Sequence, residues 1–106
     1  MVAADGVMAV MSSGLGSVAE NSGGGWEAYR ASKAALNTLM KSFASRQKKS
    51  QTFLVMSPGW VKTDMGGPNA PLDVATSVRG MADTIGKRKG DAGVAFVGYD
   101  NKDIAW

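Results

Sequence analysis

The stretch TFLVMSPGW, residues 52–60, runs through the four apolar side chains Phe53, Leu54, Val55 and Met56 and stops at Pro58-Gly59. A strand covered on one face alternates apolar with polar residues. A continuous apolar run closed by a turn dipeptide instead predicts a strand buried on both faces, the kind found in parallel sheets. Parallel strands need a long crossover between them, so the segments on either side should be helical. Both are. From Ala28 to about Arg46 the apolar residues Leu36, Leu39, Met40 and Phe43 recur at a helical period. On the other side Asp73 is a good N-cap for a second helix, whose stripe is Val74, Val78, Met81 and Ile85.

Further outward, GVMAVMSS (6–13) reads as another strand buried on both faces, and GVAFVG (93–98) as a third. The segment GLGSVAENSGGGWE (14–27) holds five glycines, too many for a helix or strand, and is expected to be a functional or mobile loop. VKTDMGGPNAPL (61–72) is rich in turn residues, and YDNKDIAW (99–106) is a tail ending in an apolar tryptophan. The order strand, helix, strand, helix, strand predicts an α/β unit of the doubly wound kind, with three strands and two helices.

At 106 residues, with 44 % hydrophobic and 20 % charged residues, the chain has the composition of one globular domain at most. No apolar stretch approaches the eighteen or so residues of a membrane span, and the N-terminus lacks the pattern of a signal peptide, so the expectation is a cytoplasmic protein without membrane contact. The absence of cysteine and histidine excludes disulfides, thiolate metal sites, serine–histidine catalysis and most zinc sites. Acid–base chemistry must then use tyrosine, lysine or carboxylates. Basic residues at RQKK (46–49) and KRK (87–89) fall at expected helix ends, where they complement the dipole and stay solvated. No aromatic residues are interleaved with them, so nucleic acid is not the expected partner.

Tyr29 and Lys33 open the first helix one turn apart, on one face. An ammonium beside a phenol favours the phenolate and makes the tyrosine a usable proton donor and acceptor. The only other tyrosine, Tyr99, has Asp103 at the corresponding position. In a doubly wound sheet, ligands sit beyond the carboxyl ends of the strands, where the loops after Ser13 and Pro58 emerge and where the Tyr29 helix begins.

In this order, VMSSGLGS, YRASKAALN and SPGWVKTDMGGPNAPLD resemble the short-chain dehydrogenase/reductase family, in particular its sniffer-like and C-factor-like carbonyl reductase branch. The resemblance covers essentially the whole chain. It implies that Tyr29 is the catalytic acid/base toward the substrate carbonyl while NAD or NADP exchanges hydride with the carbon. It further implies that Lys33 makes the phenol easier to ionise and hydrogen-bonds the nicotinamide ribose. Ser13 matches the serine that polarises the carbonyl; strand alternation turns Ser12 away. Pro58, Gly59, Val61 and Thr63 match the segment along the nicotinamide. Ser13 precedes Tyr29 by sixteen positions, more than is usual in the family, and the NSGGGW insertion absorbs the difference.

The family's T-G-x-x-x-G-x-G turn, which holds the pyrophosphate after a first strand, does not occur in these 106 residues. GLGSVAENSGGG does not have its spacing and is expected to be a substrate-side loop. The chain therefore resembles the catalytic, C-terminal half of an NAD(P)-binding Rossmann-like domain, and the GVMAVM strand is expected to leave an open edge. Trp60 and Trp26 are candidates for the substrate pocket wall. Asp64 and Asp73 are assigned no catalysis. The expected function is reduction or oxidation of a small carbonyl or alcohol substrate, inactive in this chain alone, with homo-oligomerisation through the 28–46 helix or the open edge. The alternatives are a noncatalytic remnant or interaction module that docks onto a complete reductase through the open strand edge and the first helix, and a gene-model or sequencing fragment.

Overall fold

The computed structural model describes residues 5–47 and 50–106. It contains strands β1 (Val7–Met11), β2 (Thr52–Ser57) and β3 (Gly93–Gly98), helices α1 (Glu27–Ser45) and α2 (Val74–Arg88), and one 3-10 turn at Gly14–Gly16. Lys48 and Lys49 of the predicted basic run lie outside the described residues.

The three strands form one parallel sheet in the order β1-β2-β3. β2 is central, and all six of its residues are buried, as its unbroken apolar run predicts. Its side chains alternate between two cores. Phe53 and Val55 face α1, packing with Met40, Ala44, Met8, Val10 and Phe96. Leu54 and Met56 face α2, packing with Met81, Ile85 and Val97. The strands advance across the sheet in one direction while the helices lie on opposite faces. The two crossovers are therefore of opposite hand, although right-handed crossovers are the strong rule. The sixteen residues between β2 and α2 give the chain length to reach the far face.

Two expectations need correction, those for β1 and α2. β1 is not buried on both faces: it is an edge strand, and on the face opposite Met8 and Val10 both Ala9 and Met11 are exposed, Met11 at 48 %. In α1 the core line is Met40 and Ala44, with the polar Asn37 also buried. Leu39 points outward at 67 % exposed. In α2 only Met81 and Ile85 enter the core; Val74 and Val78 are half exposed.

The helix ends follow local chemistry. Asp73 caps α2 by accepting the Thr76 backbone N–H at 2.7 Å, which holds its carboxyl below the ordinary value through hydrogen bonding to Thr76. At the other end Arg88 is not a solvated cation. It donates to the Asn101 side chain and backbone at 2.7 and 3.0 Å and pairs with Asp103 at 3.0 Å, fastening the tail to the helix. The tail then crosses to the α1 face, where Trp106 lies against Phe96, with ring centroids 5.4 Å apart, and under the Lys41 ammonium. Among the described residues no helix is long and apolar enough to cross a membrane, and no acidic, histidine or cysteine cluster has the makings of a metal site.

Candidate active site

At the carboxyl ends of β1 and β2 the chain opens a cleft of about 800 Å³. Its wall contains Ser13, Tyr29, Pro58, Gly59, Val61 and Thr63, six of the residues singled out in the sequence, drawn from three separate segments. Trp60 and Trp26 line it too. Lys33 is not in the wall; its Nζ lies 5.7 Å from the centroid of the Tyr29 ring.

Alternation separates the two serines that close β1. Ser12 continues the face of Met8 and Val10 and is buried, donating from Oγ to Asn37 Oδ1 of α1 at 2.6 Å. Ser13 takes the opposite direction and enters the cleft wall. Its Oγ accepts the Leu15 backbone N–H at 3.1 Å, which leaves its own proton free to be donated. The turn that follows is fixed from two sides. Gly14 N–H donates to Ser57 Oγ of β2 at 3.0 Å. Gly16 lies so close to α1 that a methyl group there would stand 2.9 Å from Lys33 Cβ and 3.1 Å from Asn37 Nδ2.

Tyr29 enters on the first turn of α1, whose N-cap is Trp26 in the left-handed region, φ 53°, without a side-chain cap. The unusual conformation is held by neighbours. Arg30 donates from Nε to the Gly25 carbonyl at 2.8 Å, and its backbone N–H donates to the Trp26 carbonyl. The Gly24 and Gly25 N–H groups donate to Asn21 Oδ1 and Glu27 Oε1. These are the nitrogens a phosphate would need, and Glu27 adds a carboxylate beside them. The glycine loop is thus an internally bonded support for α1, not a phosphate cradle.

On the opposite wall Gly59 adopts φ +82°, and a methyl group on it would come within 2.5 Å of Leu72 Cδ1 and 2.9 Å of Tyr99 Cε1. Only glycine fits there. The loop after it closes on itself: Lys62 N–H donates to the Leu72 carbonyl at 2.7 Å, and Trp60 Nε1 donates to the Gly66 carbonyl at 2.7 Å. Sequence reasoning missed Leu15, Ser57, Met65, Ser77 and the cleft-facing Val74 and Val78. The valines were visible only as part of a helical stripe, with nothing to show that the stripe outruns the sheet.

The C-signal protein of Myxococcus xanthus is 39 % identical over 100 residues, which cover 93 % of this chain and 60 % of that protein. Among solved structures, a protein of Burkholderia multivorans described as a short-chain dehydrogenase/reductase, with bound NADP, superposes with a TM-score of 0.95 at 42 % identity over 99 % of this chain. The carbonyl reductase Sniffer of D. melanogaster gives a TM-score of 0.82 at 43 % identity over 95 % of this chain. No protein-family model matches. The chain belongs to the short-chain dehydrogenase/reductase family. Its three-stranded parallel sheet and two helices match part of that family's Rossmann fold, and it spans 46 % and 41 % of the two solved chains.

Proposed function

We propose that this chain is the catalytic half of an NAD(P)-dependent oxidoreductase acting on a small carbonyl or alcohol, with Ser13, Tyr29 and Lys33 as its chemical residues. One observation carries the reading: two hydroxyls from different elements, Ser13 and Tyr29, share one cleft wall with the Pro58–Val61 turn, and the Ser13 proton is unspent. In the reducing direction Ser13 donates a hydrogen bond to the substrate carbonyl oxygen, drawing electron density from the carbon. Tyr29 gives that oxygen its proton. Lys33, held against the Tyr29 ring, contributes a cation–π contact that fixes the ring and offers N–H donors to a ribose hydroxyl.

The residues present fit the nicotinamide end of a dinucleotide. Gly59 exposes bare backbone at the cleft, and Pro58, Val61 and Thr63 stand beside it as the contacts for that ring. When bound, NAD or NADP supplies the hydride. The described residues hold no cradle for the pyrophosphate, so we propose that the rest of the domain provides it and that 1–106 forms a partial domain, cytoplasmic like its expected whole.

The test is a chimaera in which residues 5–106 replace the matched part of the Burkholderia multivorans relative. It should reduce a carbonyl compound with NADPH or NADH, and Tyr29→Phe in it should lower turnover by at least about 10²-fold. Undiminished turnover by that variant would end the assignment.

A second reading is favoured by the side of β1 that pairs with no strand among the described residues, and by the half-exposed Met11. It is a noncatalytic module that docks through this edge or through the outward face of α1, where Leu39 is exposed; a homo-oligomer would use the same surfaces. A chimaera that folds but reduces nothing would favour it.

A further inference from the structure

Among the described residues lining the cleft none carries a full charge. The polar side chains of the wall are few and neutral, and several of them also bond within the protein. Ser57 Oγ accepts from Gly14 N–H, Ser77 Oγ donates to the Pro58 carbonyl at 2.7 Å, and Thr63 Oγ1 accepts the Gly66 N–H at 3.0 Å. The Trp60 indole N–H is held by the Gly66 carbonyl, so its ring presents only an apolar face although the residue is 59 % exposed. Around it Met65, Val74 and Val78 are each half exposed or more, within the same wall. What the wall offers a ligand is the hydroxyls of Ser13, Tyr29, Ser57 and Thr63 amid an apolar lining.

From this division we infer that the cleft selects uncharged carbonyl compounds with an aromatic or branched hydrocarbon body, and discriminates against carboxylated or phosphorylated ones. Trp60 is the main specificity-determining residue. The inference rests on the reading of Ser13 and Tyr29 as the partners of a carbonyl oxygen. An anionic group on the substrate body would leave water for a wall that holds no cation among its described lining residues and offers only neutral hydroxyl donors, so its desolvation would be poorly compensated. An apolar body loses nothing by the same transfer and covers side chains now open to water.

The experiment is equilibrium dialysis of the 106-residue chain against 4-methylacetophenone and 4-acetylbenzoate, which share the aryl ketone and differ in a methyl group against a carboxylate. The neutral ketone should be retained at least roughly tenfold better. Trp60→Ala should abolish most of that retention. Val78→Lys, on an exposed turn of α2 where a lysine is accommodated, should raise retention of the carboxylate severalfold and narrow the ratio. Leu39→Lys, on α1 outside the cleft, adds the same charge and should leave the ratio unchanged. Equal or better retention of the carboxylate by the parent chain, retention of neither ketone, or a ratio that Leu39→Lys moves as far as Val78→Lys would overturn the inference. No nicotinamide is present, so dialysis reads the cleft alone. Failure of the catalytic reading would instead appear as loss of reduction by the chimaera, with the dialysis ratio intact.

Discussion

Ser12 Oγ donates to Asn37 Oδ1 at 2.6 Å inside the molecule, joining the end of β1 to the middle of α1. Neither residue faces the cleft. Ser12 precedes Ser13 by one position, and Asn37 follows Lys33 by one helical turn, so a single buried bond locks the register between the segment that carries the serine and the helix that carries the tyrosine and lysine. It does so where geometry matters: hydrogen bonds from two hydroxyls to one oxygen tolerate little displacement of either.

Ser12→Ala should accordingly be more costly than its size suggests. It leaves the Asn37 carboxamide oxygen buried without its donor, a penalty of about 1–3 kcal/mol. The expected result is a lowered midpoint of chemical denaturation with an unchanged slope. A Ser12→Ala, Asn37→Leu double variant, which removes both polar partners, should recover part of the loss. If the single variant unfolds at the parental midpoint, the bond contributes nothing to stability.

Gly59→Ala tests the backbone beside the cleft. At φ +82° a side chain is strained, and the new methyl group would overlap Leu72 and Tyr99, so a destabilisation above about 1 kcal/mol is expected. Gly90, at φ +96° with open space around it, is the control. Alanine there bears the conformational strain without the collision and should cost less. Equal effects at the two sites would mean that packing against Tyr99 is loose.

Asp73 provides a pH signature. Hydrogen bonding to Thr76 depresses its folded pKa below the ordinary value, so the stability it contributes is present above the unfolded-state pKa, about 3.9, and is lost as pH falls through the folded value. Asp73→Asn retains a capping oxygen but cannot titrate. The stability difference between parent and variant should shrink on acidification from pH 5 toward pH 2. Thermal melts of both proteins across that interval check it, and a constant difference would show that the cap is indifferent to charge.

The 106-residue chain alone should not bind NAD(H) or NADP(H) measurably at physiological concentrations. Nicotinamide-side contacts remain, but the N–H groups of Gly24 and Gly25 are already bonded to Asn21 and Glu27, and nothing else among the described residues offers a phosphate cradle. The open side of β1 should instead drive self-association. Calorimetry beside light scattering tests both halves, and a monodisperse monomer with micromolar cofactor affinity would contradict both.

Much of this molecule is legible in its local chemistry. The unbroken run Phe53–Met56 determined a central strand, Asp73 determined where α2 begins, and the alternation at the end of β1 determined which of two adjacent serines faces outward. These are signals of one to four residues, set by backbone period and hydrogen-bonding capacity. What α1 and α2 bury was not legible in the same way. A helical stripe states that one face is apolar, without stating how far the opposing sheet extends. Only the packed structure ends the sheet beneath Met81, leaving Val74 and Val78 to line the cleft, and turns Leu39 outward while Asn37 goes in to meet Ser12. Arg88 shows the same division: its place at a helix end was plain, but its partners Asn101 and Asp103 arrive from the far side of β3. Register across a parallel sheet is set by contacts between residues some forty positions apart, such as Val10 with Val55 and Val55 with Phe96, and those contacts exist only once crossovers of opposite hand have brought the strands together.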